Sequence, residues 1–366
     1  MTTAQLISFA RGAPSLDIVD VDGLKAAAVR AFETDPVAVT GYGPGTGYPP
    51  LRQWIASRHG AREEQVLVTN GSLQADAFIF NHLVRPGDDV IVEKPTYDRT
   101  LLNLKNMGAK IHQVSLDKDG LDTDELRRLL ESGVRPKLAH VIPNFQNPAG
   151  VTLSLDRRHA LIDLAKTYGF TIFEDDPYVD IRFRGEPLPS MLSLDDPANP
   201  TVVAAGSFTK TVCPGVRVGY LVGDAAMITD IGKHAVNTYI SPNMLSEVTV
   251  HQFCVTGDID RSIATVRKAL AQRAGLLAQA LRREIPGCEF NEPDGGYFLW
   301  VELPEDIDAA DLLQAATARG VAVVKGSDFL LTGGRHALRL AYSAVLTDQV
   351  DEGVSRLAAA IADLRR

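Results

Sequence analysis

The sequence predicts an α/β protein with two domains: a large one built on a mostly parallel central sheet and a smaller α+β one. Three observations predict it. Short β-like runs alternate with helical stretches through the middle of the chain, those runs are largely apolar, and the pattern changes after a long helix that begins near residue 258. Alternating β and α units need parallel strands joined by crossover helices, and strands covered on both faces read as apolar runs.

In chain order the expected strands are 65–69, 89–93, 110–114, 138–142, 170–174, 202–205 and 218–222. Helical stretches are expected over 72–83, 97–107, 122–131 and 154–168, two of them opening on the capping residues Ser72 and Ser154. This region, 41–257, is the expected large domain. A polar-faced helix over 258–284 leads into a β run at 295–301, a helix at 308–319, strands at 321–324 and 337–341, and a terminal amphipathic helix. These form the expected small domain, 258–366, together with residues 1–40, which are too few to fold alone and are expected to pack against it.

Bulk properties narrow the function. With 366 residues, 45% hydrophobic and 23% charged, the chain has the composition of an ordinary globular enzyme. A net charge of −9 with no basic run argues against nucleic acid or an anionic membrane as partner. No stretch approaches the roughly 20 apolar residues of a membrane span, and the N-terminus lacks the basic start and apolar core of a signal peptide. Three widely spaced cysteines, Cys213, Cys254 and Cys288, suit a reducing compartment and offer no metal motif. A cytoplasmic location is expected.

Chemistry concentrates where the β runs end, the place where open α/β sheets bind ligands. Lys210 lies in Gly206-Ser-Phe-Thr-Lys-Thr-Val-Cys-Pro-Gly-Val-Arg217, boxed in by small and apolar residues. Burial lowers a lysine's pKa and frees the amine for Schiff-base chemistry. Ser207 and Arg217 beside it are a donor and a fixed cation suited to a phosphate. A reactive lysine next to phosphate groups suggests pyridoxal 5'-phosphate (PLP); a lysine snorkelling from a strand end is the plainer alternative. Gly71-Ser72 at a helix start could hold an anion or simply cap the helix. Tyr97 could lie against a planar ring or in the core, and Asn147 in Asn-Pro-Ala-Gly could donate to a phenolic oxygen or shape a turn. Glu174-Asp175-Asp176 ends a buried run, which is costly unless one acid has a cationic partner. A protonated pyridine nitrogen would be that partner.

In this order and spacing the motifs resemble the fold-type I PLP enzymes of the aspartate aminotransferase superfamily, classes I and II. Within it the chain is most similar to the branch holding aminoadipate, kynurenine and aromatic aminotransferases. The resemblance runs from Ser8-Phe-Ala-Arg-Gly-Ala-Pro14 to Arg339-Leu-Ala-Tyr-Ser343. It implies that Lys210 forms the internal aldimine and then carries the proton between Cα and C4'. Asp175 pairs with the pyridinium nitrogen, Tyr178 and Asn147 bond the O3' oxygen, and Tyr97 stacks on the ring. Gly71, Ser72, the backbone of Leu73, Ser207 and Arg217 hold the phosphate. Tyr42, in Tyr42-Gly-Pro-Gly-Thr-Gly-Tyr48, reaches the neighbouring subunit's phosphate, which implies a homodimer with shared active sites. Arg339 clamps the substrate α-carboxylate, with Asn147 and Gly12 beside it.

The chain departs from the resemblance at three places. Leu73 stands where relatives often carry a polar or aromatic side chain. Arg11 precedes Gly12 where a small residue is common, which points to an acidic or unusual substrate or to a solvent-facing arginine. Phe145 and Gln146 occupy a loop that varies with substrate. Amino transfer to a 2-oxo acid is the leading expectation. A β- or γ-elimination, replacement or carbon–carbon bond-forming reaction needs the same cofactor residues, and a ligand-sensing module lacks the DNA-binding stretch it would require.

Overall fold

A computed structural model describes residues 6–366 of the chain. Its central sheet has eight strands in the spatial order Val66–Thr69, Gly219–Val222, Val202–Ser207, Thr171–Asp175, Pro136–Val141, Asp89–Lys94, Lys110–Asp117 and Gly120–Leu121. The five from Val202–Ser207 to Lys110–Asp117 are mutually parallel, while Gly219–Val222 runs antiparallel to both its neighbours. The two middle strands Pro136–Val141 and Thr171–Asp175 are buried almost throughout, which explains their unbroken apolar reading. Helices Ser72–Leu83, Thr123–Glu131 and Leu155–Tyr168 begin and end within a residue of their expected bounds. The α/β expectation with a mostly parallel sheet holds.

A second core surrounds a three-stranded antiparallel sheet in which Ala337–Ala341 lies between Phe298–Glu302 and Val324–Lys325. Helices Asp258–Glu284 and Val350–Leu364 cover it. The single strand expected over 321–324 is divided. Val321–Ala322 pairs in parallel with Ile7–Ser8, and only Val324–Lys325 joins the antiparallel sheet. Val323, buried between the two pieces, marks the switch from one partner to the other.

The first forty residues depart from the expectation that they pack together on the smaller unit. Ile7, Phe9 and Ile18 do enter that core. Val21–Thr34, however, packs on Met244–Val255, and its inward Ala27 and Ala31 join Val66, Val68 and Val248 in the core of the larger unit. The two small alanines let the helices approach closely, so this segment straddles both units. Ile18 and Leu338 are thus parts of one core to which the chain returns after more than 300 residues. Leu338 is fully buried there, and Leu338→Ala is expected to destabilise the protein by about 2–5 kcal/mol through lost contacts and a residual cavity. Urea unfolding at fixed cofactor concentration measures this.

Candidate active site

The carboxyl ends of the parallel strands and the edge of the small sheet enclose a cavity of about 400 Å³. Loops after five strands of the large sheet reach it, because parallel strands deliver all their exits to one side. Asp175, Lys210, Tyr97, Asn147, Tyr178, Ser72, Leu73, Ser207 and Arg217 line it from the large unit. Gly12, Phe298 and Arg339 close it from the other.

The acidic run at the end of Thr171–Asp175 is resolved residue by residue. Glu174 accepts the backbone N–H groups of Met191 and Leu192 at 2.8 and 2.9 Å, the start of a short helix. Asp176 accepts from Asn144 Nδ2 at 2.6 Å, and burial together with the charge of Glu174 pushes it up to about 8. Asp175 alone faces the cavity. It is 5% exposed, its Oδ1 has no hydrogen-bond partner, and its Oδ2 lies 3.5 Å from His140 Nε2. A buried carboxylate with an unpartnered oxygen, on a residue that lines a cavity, suits a cationic ligand.

Lys210 follows Val202–Ser207 and extends over two aromatic rings. Its Nζ lies 4.8 Å from the Tyr297 centroid and 5.6 Å from that of Tyr178, and it donates to the Gly12 carbonyl at 2.9 Å. Burial, reinforced by the charge of Arg339 and only partly countered by Asp175, lowers the amine to about 8. The amine therefore gives up its proton more readily than an exposed lysine, which makes it the better nucleophile.

An anion pocket stands at the other end of the cavity. Gly71 caps helix Ser72–Leu83 with φ +78° and no capping side chain, so the helix start keeps N–H groups available. Arg217, itself left-handed at φ +51°, donates from Nη2 to the Asn70 carbonyl at 3.0 Å and lies across Gly71. A Cβ on Gly71 would come within 2.3 Å of Arg217 Nη2. The opposite end is cationic too. Arg339 on Ala337–Ala341 is buried between Phe298 and Phe329, with its guanidinium carbon 4.4 and 4.8 Å from the two ring centroids. It donates to Asn147 Oδ1 at 3.1 Å and to the Ala10 carbonyl at 2.9 Å.

Comparison with known proteins places this geometry. Residues 4–357 match the family described as aminotransferase class I and II. The chain belongs to that family. The aromatic-amino-acid aminotransferase 1 of Thermococcus litoralis is 32% identical over 98% of this chain and 88% of its own length. The 2-aminoadipate transaminase of Thermus thermophilus is 32% identical over 98% of this chain and 91% of its own. Among solved structures, an α-aminoadipate aminotransferase from Thermus thermophilus, complexed with N-(5'-phosphopyridoxyl)-L-leucine, superposes with a TM-score of 0.94. It is 31% identical over 98% of this chain and 93% of its own. The protein is thus a PLP-dependent aminotransferase.

The residues of this aminotransferase fit PLP on structural grounds: an unpartnered buried oxygen on Asp175, a glycine cradle under Arg217 and a desolvated amine on Lys210. Eleven of the residues singled out in the sequence line one cavity. Gly71 supports it from behind. Tyr42 and Arg11 do not line it: Tyr42 is 87% exposed, and Arg11 is exposed as well. Tyr297, Phe298, Asp98, Arg99 and His140 were not singled out. Gly295-Gly296 ahead of Tyr297-Phe298 was the available signal for the first two. His140 sits inside an apolar run, where a core histidine is the ordinary reading.

Gly71→Ala is expected to weaken PLP binding at least tenfold, about 1.4 kcal/mol. It combines a side chain at positive φ with displacement of Arg217. Cofactor titration measures it, and unchanged affinity would contradict the cradle.

Proposed function

We propose that the protein transfers the amino group of an L-α-amino acid to a 2-oxo acid as a cytoplasmic homodimer, with the side chains of one cavity in the following roles. The observation that carries this reading is the pairing of Lys210 and Asp175. One lowered amine and one open carboxylate face the same cavity, while both acids beside Asp175 already have partners. When bound, PLP supplies an aldehyde carbon for amines and a ring that draws electron density from the substrate Cα.

Lys210 Nζ is the nucleophile toward that carbon. With PLP bound, the same amine would be placed to take a proton from the substrate Cα and to deliver one to C4', across the amino nitrogen. Asp175 holds the proton on the ring nitrogen. Tyr178 and Asn147 are donors for the phenolic oxygen, and burial keeps the Tyr178 hydroxyl protonated by raising it well above its ordinary value. Tyr97 covers the ring; its own hydroxyl is pushed up to about 12, chiefly by burial. Ser72, the N–H of Leu73, Ser207 and Arg217 hold the phosphate around Gly71. Arg339 offers its fork to the substrate carboxylate, in place of the bond it now makes to Asn147, with Gly12 close by. The division into a cofactor unit, 41–257, and a smaller unit that carries Arg339 belongs to the same reading.

The homodimer is supported by exposure. Tyr42 at 87%, Val37 at 79% and Leu16 at 77% are large apolar side chains open to solvent. Tyr42 is outside its own chain's cavity and would complete a partner's phosphate site. Relatives named for aromatic amino acids, 2-aminoadipate and kynurenine define the donors to try first.

Wild-type enzyme mixed with these donors is expected to convert bound PLP to pyridoxamine phosphate and release the matching 2-oxo acid, read by absorbance and mass spectrometry. Lys210→Ala is expected to keep PLP but slow the conversion by about 10³-fold or more, the scale of a lost general base and acid. A Lys210→Ala enzyme as fast as wild type would end the assignment.

A further inference from the structure

Behind Asp175, away from the cavity, lies a second carboxyl group to which the roles above give no part. Asp76, on helix Ser72–Leu83, is 1% exposed. With His140 of strand Pro136–Val141 and Asp175 it forms a closed cluster in which one polar atom from each residue lies within 4.8 Å of the others. All three are buried, and each has an oxygen or nitrogen without a hydrogen-bond partner: Asp76 Oδ1, both His140 ring nitrogens and Asp175 Oδ1.

Among the described residues no basic side chain acts on Asp76; Lys210, which feels the charge of Asp175, stands on the cavity side of that carboxyl. From the adjoining sheet the facing groups are Asp175, His140 and, more remotely, Glu93, which bonds Gln146 and the Ile142 N–H. From the neighbouring helix start comes the Tyr97 hydroxyl. Strands Val202–Ser207 and Gly219–Val222, also packed on this helix, contribute Tyr220, which is turned away to His59. Helix Ala225–Tyr239 contributes His234, which packs on Phe78. Two carboxylates this close in a dry site cannot both ionise.

We propose that Asp76 is a positioning residue for the cofactor's ring-nitrogen site, sharing one proton with Asp175 and His140 so that the trio presents a single negative charge to the pyridinium. This rests on Asp175 being the ring-nitrogen partner. Charge balance favours it: one pyridinium is matched by one negative charge, and the neutral carboxyl supplies a donor for the open polar atoms around it. Burial and the nearby Asp175 push Asp76 well above the ordinary carboxyl range, consistent with its keeping the proton.

The sign of the pH effect follows. The folded protein holds this proton at pH values where the unfolded chain has lost it, so stability falls as pH rises from about 5. Other raised acids, Glu93, Glu174, Asp176 and Glu247, add the same trend and cancel in a comparison with a variant.

The test uses full-length holoenzyme at fixed excess PLP. Between about pH 5 and pH 7 the unfolding constant of wild type is expected to rise about tenfold more per pH unit than that of Asp76→Asn, one proton's worth. In cofactor titrations Asp76→Leu is expected to bind PLP at least tenfold more weakly, and Asp76→Asn, which can still donate, to restore most of the loss. Equal pH slopes overturn the proposal, as does wild-type PLP affinity in Asp76→Leu. If Asp76→Leu does not fold, the slope comparison decides alone. Stoichiometric divalent metal in the purified protein would also overturn it, because a metal would replace the shared proton. Asp175→Ala with unaltered PLP affinity would instead remove the ring-nitrogen reading, leaving the slope to report on Asp76 independently.

Discussion

Three consecutive carboxyl groups end one buried strand, and the site is organised by how each is accommodated. A carboxylate taken out of water needs donors or a cation, or it takes up a proton. Glu174 is held by two backbone N–H groups at a helix start, and Asp176 by the Asn144 amide. Asn144 in turn is bonded by Arg158, a fully buried arginine that also ties down the Leu153, Pro143 and Pro189 carbonyls. Glu174 thus braces the segment that follows its own strand, and Asp176 the loop that follows the neighbouring strand Pro136–Val141. The middle one, on the opposite side of the strand, is left for the ligand.

The same desolvation acts with opposite sign on Lys210. It raises Asp176 and Asp76, which are buried outside the cavity, and lowers the lysine amine that lines it. Arg339 reinforces the shift at Lys210 while standing ready for a carboxylate at the other end of the cavity. Two cationic ends, one at Arg217 and one at Arg339, with an open acid between them, match a ligand carrying a phosphate and a carboxylate on either side of a ring cation.

Much of this was legible in the sequence because it is local. Apolar runs in a β/α alternation gave away the strands, and polar residues directly after each run gave Ser72, Tyr97, Asn147, Asp175, Ser207 and Lys210, since parallel strands all exit on one side. Elements without a local signature were harder. Helix Met244–Val255 received no assignment; it is buried on most of its surface and contains the β-branched stretch Val248-Thr249-Val250, so neither amphipathic period nor propensity marks it. The split at Val323 and the packing of Val21–Thr34 against Met244–Val255 depend on partners hundreds of residues away. Asp76 was invisible for the same reason: an acid on a helix face is ordinarily solvated, and only the fold puts His140 and Asp175 opposite it.

The central claim is that Asp175 holds a protonated ring nitrogen. It is tested most directly by nitrogen NMR of the holoenzyme reconstituted with PLP labelled with ¹⁵N in the ring. The account predicts the shift of a protonated pyridine nitrogen at neutral pH in the wild type and of an unprotonated one in Asp175→Ala. An unprotonated nitrogen in the wild type, or a protonated one that survives Asp175→Ala, would contradict it.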